Sequence, residues 1–252
     1  MLLAAPQGDL EYAVAGAGRP VTIFAHGLGG SIGQTRPLAS GVPGSRAFLH
    51  FRGHGASFRS RSAPSYADLA ADLAAVADHV DATRALGVSM GAAALLHLAT
   101  AEPDRFDRLV FVLPAVIDEL RSEPVRRRLA QLQAAIATGA TEEFVREEIP
   151  PQARETGAGQ EYIRSRAATL ATLGDAVAAT ASAVAVPDRT LLGKVGAPSL
   201  VIGAVGDPLH DVAVAEELAG LLPAASFHVF PDAGFVWTRR AELRSLIGGF
   251  LS

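Results

Sequence analysis

The chain has 252 residues, 49% of them hydrophobic and 19% charged, with a formal net charge of −4 and no cysteine. That is enough chain for one α/β unit, or for a core unit carrying an insertion. Without cysteine there are no disulfides, thiolate metal sites or cysteine nucleophile, and the acidic balance leaves no basic footprint for nucleic acid.

Met1 to Pro6 lack the basic n-region of a signal peptide, and no apolar run is long enough to span a bilayer. A cytoplasmic protein with no membrane partner is expected. Short apolar runs bounded by Gly, Pro or Asp predict strands at 21–25, 47–51, 82–88, 109–113, 199–205 and 226–230. Helical patterns fall between them at 66–80, 90–101, 212–222 and 239–251. The first places Leu69, Leu73, Val76 and Val80 on one face, fit to cover a sheet. Such alternation predicts an α/β fold with a mostly parallel central sheet and helices on both faces.

From Ala115 to about Arg189 no strand pattern is visible, and the composition turns to Arg, Glu, Gln and Ala. Residues 121–137 and 160–179 read as helices, separated by Pro150-Pro151 and Gly157-Ala158-Gly159. The run Arg126-Arg127-Arg128 reads as a solvated helix face. An insertion at this point of a parallel sheet lies above the carboxyl ends of the strands, where ligands bind. The expected division is therefore a core of 1–114 and 190–252 with a helical cap, or lid, over 115–189.

Residues 87–91 read Gly87-Val88-Ser89-Met90-Gly91, between a predicted strand and a predicted helix. A serine on such a sharp turn is held so that its hydroxyl leaves the sheet edge, and the flanking residues must be small. Gly87, Gly91 and Ala92 meet that demand. After the first predicted strand comes His26-Gly27-Leu28-Gly29-Gly30, after the second Arg52-Gly53-His54-Gly55, and near the C-terminus Val201-Ile202-Gly203-Ala204-Val205-Gly206-Asp207-Pro208. These motifs, in this order, resemble the α/β-hydrolase superfamily over almost the full length. The chain looks like its small single-domain branch with a helical cap.

The resemblance implies a serine nucleophile at Ser89 and an acid at Asp207. It also implies an oxyanion hole formed by the backbone N–H groups of Met90 and Leu28. His26 and Gly27 then brace the oxyanion loop, with Gly87 and Gly91 supporting the elbow, and His54 is structural in the same way. Asp211, the nearest rival acid, reads as the N-cap of the following helix. No metal and no cofactor is implied.

The chain departs from the family at the base. Where the resemblance places a histidine after the last strand, the sequence has Phe235, whose ring cannot accept a proton. Of the 7 histidines, His210 is the best placed substitute. It stands three residues after Asp207, though it also reads as an ordinary polar loop residue. His228 lies inside the last strand pattern, while His50, His79 and His97 have no catalytic claim. Two functions follow. One is a serine hydrolase acting on a small ester, lactone or thioester. The other is a ligand-binding or non-hydrolytic protein, of isomerase, cyclase or lyase type, that keeps the pocket without the base. Either would take a small molecule, and the few aromatics suggest a medium-sized apolar pocket.

Overall fold

The computed structural model describes residues 1–252, the side chain of Asp175 excepted. The first half comprises β1 (Leu2–Ala5), β2 (Gly8–Ala15), β3 (Val21–Ala25), α1 (Ile32–Thr35), a 3-10 turn (Arg36–Ala39), β4 (Ser45–Leu49) and α2 (Tyr66–His79). Then follow β5 (Arg84–Val88), α3 (Met90–Ala101) and β6 (Arg108–Val112). Between β6 and β7 (Ser199–Ala204) the chain forms α4 (Glu123–Thr138), α5 (Thr141–Glu147), α6 (Pro151–Arg154), α7 (Gly157–Ala171) and α8 (Gly174–Ser182). The last part holds α9 (Val212–Leu221), β8 (Ala225–Phe230), α10 (Phe235–Thr238) and α11 (Arg240–Phe250).

All eight strands join one sheet in the order β1-β2-β4-β3-β5-β6-β7-β8. The pairs β1–β2 and β2–β4 are antiparallel, and every pair from β4–β3 to β7–β8 is parallel. Successive side chains of a strand point to opposite faces, and the core divides accordingly. Ile23, Ala47, Ala85, Phe111 and Val201 pack under α2, α3 and α9, joined by Leu73, Leu95 and Leu218. Phe24, Phe48, Leu86, Val110 and Ile202 face the other side, where Ile32, Leu38, Leu243 and Ile247 cover them. Helices α2, α9 and α11 each carry an apolar stripe because each covers one face of a sheet buried on both sides.

Two parts of the architecture were not apparent in the sequence. β1 and β2 pair antiparallel at the sheet edge, and only Leu10 and Tyr12 in them are buried. The buried Leu10 and Tyr12 of β2 alternate with Asp9 and Glu11, so no continuous apolar run marks the strand. The expected helix over 160–179 is two helices, because α7 ends at Ala171 and α8 begins at Gly174. Helices α5 and α6, of 7 and 4 residues, are too short for a periodic pattern to show. The segment from α4 to α8 has its own apolar centre of Leu132, Phe144, Val145, Ile163 and Leu170, against which Leu28 and Trp237 pack.

Candidate active site

β5 ends at Val88 and α3 begins at Met90, leaving Ser89 alone on the corner with φ 53° and ψ −112°. A positive φ on a residue with a Cβ stores roughly 1–3 kcal/mol of strain, and the surroundings must hold it there. They do so through the backbone: Ser89 donates its N–H to the Val112 carbonyl at 2.9 Å, and its own carbonyl accepts from Ala93 at 3.0 Å. The flanking chains press so close that a Cβ on Gly87 would lie 2.4 Å from the Gly91 carbonyl oxygen. One on Gly91 would lie 2.6 Å from the carbonyl oxygens of Ala25 and His26. Both glycines are therefore steric requirements of the corner.

The loop after β7 carries Asp207 and His210. His210 Nε2 stands 2.7 Å from Ser89 Oγ, and His210 Nδ1 stands 3.0 Å from Asp207 Oδ1. An ionised carboxylate only accepts hydrogen bonds, so the imidazole proton belongs on Nδ1 and Nε2 is left to accept from the serine hydroxyl. Asp207 Oδ1 also accepts the backbone N–H groups of Leu209 at 2.8 Å and His210 at 3.0 Å, which ties the loop around its own acid. Burial raises the Asp207 carboxyl, but His210 and the two amides outweigh it and hold it below the usual carboxylate value. Asp211 caps α9 by accepting from Ala213 at 3.1 Å.

Phe235 is elsewhere. Its ring is fully buried, stacks on Phe230 at 4.3 Å between centroids and joins the core beneath α11. Although Phe235 stands where the resemblance places the base, it does not line the cavity around Ser89 and Asp207. The arginine run also differs from expectation. Arg127 is solvated, but Arg128 turns in, pairs with Glu147 at 3.0 Å and sits 3.9 Å over the Phe144 ring.

The loop after β3 approaches Ser89 from the opposite side to His210's loop, and histidines hold it. His26 Nδ1 donates to the Gly27 carbonyl at 2.8 Å, while its Nε2 accepts from Phe51 at 3.2 Å. His54 Nε2 accepts from Gly29 at 3.1 Å, and His50 Nε2 accepts from Ile32 at 3.0 Å. Arg52, in the turn that presents His54, is locked to α2 by Asp72 at 2.7 Å and Asp68 at 2.9 Å. The Leu28 and Met90 N–H groups have no acceptor among the described residues. His79 bonds the Tyr12 hydroxyl, His97 the Ala185 carbonyl, and His228 lies 3.8 Å from Glu242.

Burial pushes the His54 imidazole down to about 4, and burial together with the neighbouring His54 holds His26 well below its usual value. Between the ordinary imidazole value of 6.5 and about 4, the unfolded chain binds a proton that folded His54 refuses. Stability therefore falls as pH drops through that window. Urea unfolding at about pH 7 and about pH 4.5 should show the loss, and a His54→Gln protein should lose less across the same interval. Equal losses would show that His54 does not set the slope.

Ser89, Asp207 and His210 open into a cavity of about 610 Å³. Leu38, Val88, Leu113 and Leu209 line its floor, and Leu129, Leu132, Tyr162 and Arg166 come from α4 and α7. Burial raises the Tyr162 phenol to about 12, so it stands in this wall as a neutral proton donor. Arg166 pairs with Glu148 at 2.7 Å. No pattern in the sequence marks this pair, whose members stand 18 positions apart in the cap.

A family model for the alpha/beta hydrolase fold matches residues 20–236, and the chain belongs to that family. Among solved structures, the enol-lactonase from Burkholderia xenovorans LB400 superposes with a TM-score of 0.83 at 19% identity, covering 100% of this chain and 99% of that one. An esterase from Exiguobacterium antarcticum gives 0.84 at 14% identity, covering 99% and 98%. A bromoperoxidase from Bacillus anthracis gives 0.80 at 17% identity, covering 97% and 95%.

Proposed function

We propose that the protein is a serine hydrolase acting on a small ester, lactone or thioester, with His210 as the base in place of the histidine that Phe235 displaces. The single observation that carries this reading is the relay of Ser89 Oγ, His210 Nε2 and Nδ1, and Asp207 Oδ1, at 2.7 and 3.0 Å. Ser89 Oγ attacks the substrate carbonyl carbon while His210 Nε2 takes its proton. The resulting oxyanion is met by the Met90 and Leu28 amides, each such donor being worth about 10²–10³ in rate. His210 then gives the proton to the leaving oxygen or sulfur, and a water attacks the acyl-serine by the same route in reverse. Asp207 keeps the imidazole in the required tautomer and stabilises its cation.

Residues 115–189 act in this reading as a cap whose α4 and α7 set the shape of the acyl or lactone pocket, so the partner is a small and largely apolar molecule. The chemistry needs neither metal nor cofactor. The resemblance to an enol-lactonase and an esterase is in keeping with it. A fluorophosphonate probe tests the reading: intact-mass analysis should find one label per chain, absent from Ser89→Ala. A protein that refuses the probe while Ser89 remains intact would favour the ligand-binding or non-hydrolytic alternative for the same pocket.

A further inference from the structure

Two consecutive peptides of the loop after β3 have four polar groups, and three of them are held. The Gly27 carbonyl accepts from Gly30 at 2.9 Å and from His26 Nδ1 at 2.8 Å. The Leu28 carbonyl accepts from Arg166 Nη1 at 2.5 Å, and the Gly29 N–H, on the same peptide, donates to His54 Nε2 at 3.1 Å. The remaining group is the Leu28 N–H, which has no partner among the described residues. Because a peptide is planar, holding both its C=O and its N–H fixes the rotation of that plane, and with it the backbone angles of Leu28 and Gly29. Gly29 sits at φ 65°, a left-handed conformation that glycine adopts without strain, so these hydrogen bonds rather than sterics set the plane of its peptide.

Arg166 reaches this carbonyl from α7, across the cavity wall. Its Nε and Nη2 are taken by the Glu148 carboxylate at 2.7 and 3.3 Å, which leaves Nη1 directed at Leu28. The two side chains are only 12% and 10% exposed. An ion pair removed from water contributes little net stability, since desolvation consumes most of its attraction. What this pair does supply is direction: a planar guanidinium held on one edge can aim its remaining N–H groups at one point.

We propose that Arg166, oriented by Glu148, is a positioning residue for the oxyanion hole, so that the Leu28 amide is set for catalysis only when the cap is seated. This rests on the serine-hydrolase reading. His54 clamps the same peptide from the core side, and Arg166 is the cap's half of the clamp.

The test compares the unsubstituted protein, Arg166→Lys, and the double variant Glu148→Gln/Arg166→Met, which removes both charges and strands neither. Two readouts are needed: p-nitrophenyl ester kinetics, and amide hydrogen exchange at Leu28 and Gly29 by NMR. In the double variant kcat should fall about 10- to 100-fold while KM moves by less than about threefold, the pattern of a displaced transition-state contact. Exchange at Gly29 should quicken while the amides of β5 and β6 keep their protection. Arg166→Lys should recover part of kcat, since one ammonium can still reach the Leu28 carbonyl. Unchanged exchange at Gly29 overturns the proposal, as does a double variant that raises KM alone, which would make Arg166 an anchor for the cap. If the unsubstituted protein turns over no ester, the hydrolase reading fails, and exchange at Gly29 still decides whether the clamp exists.

Discussion

His210→Ala is expected to reduce p-nitrophenyl ester turnover by about 10⁵–10⁶-fold, equivalent to about 7–8 kcal/mol of transition-state stabilisation, with the fold intact. His210 Nε2 is the nitrogen found against Ser89 Oγ, at 2.7 Å, and no other histidine lines the cavity except His26. His26 has both ring nitrogens occupied by backbone groups, so it has no lone pair to offer the serine. Asp207→Asn should cost less, about 10⁴-fold, because the amide leaves the imidazole in place but favours the wrong tautomer. Circular dichroism and ester kinetics on the same samples separate lost catalysis from lost folding. A His210→Ala protein retaining more than about a tenth of parental turnover would end the case for His210 as base.

Phe235→His is expected to destabilise the protein by about 2–4 kcal/mol and to leave ester turnover no higher than before. The sequence alone suggests the opposite outcome, that a histidine here would restore a missing base. The difference lies in where the ring goes. Phe235 is fully buried against Phe230 and shares its cluster with Leu243 and Ile247. An imidazole there loses apolar contact and must hide two polar nitrogens among aliphatic side chains, where a polar group without a hydrogen bond costs on the order of 1–3 kcal/mol. Chemical denaturation of the two proteins measures the loss. A gain of tenfold or more in turnover would mean that position 235 can reach Ser89 after all, and that the loop after β8 is free to rearrange.

Asp207 and His210 sit three residues apart on one loop, which closes on itself because Asp207 accepts both the Leu209 and His210 amides. Those bonds place Nδ1 on the acid and leave Nε2 facing the elbow. Phe235, just after β8, is part of the core instead.

The amino-acid sequence by itself determined the parallel strands, the helices that cover them and the corner at Ser89. These are short-range matters: β3 and α3 run over the residues their apolar patterns mark, and a corner that puts carbonyl oxygens 2.4–2.6 Å from any Cβ admits only glycine at 87 and 91. The edge strands β1 and β2, and the break between α7 and α8, lay beyond that range, because edge pairing and cap packing decide them. Only the tertiary structure decided which side chain meets Ser89. Ser89 and His210 are 121 residues apart, and they meet because β5 and β7 run parallel with β6 between them, which brings both carboxyl-end loops to the same edge. The same holds for Arg166, which is 138 residues from Leu28 and is aimed by a carboxylate on another cap segment. A hydrogen bond tolerates errors of a few tenths of an ångström, and no pattern along the chain carries position to that precision.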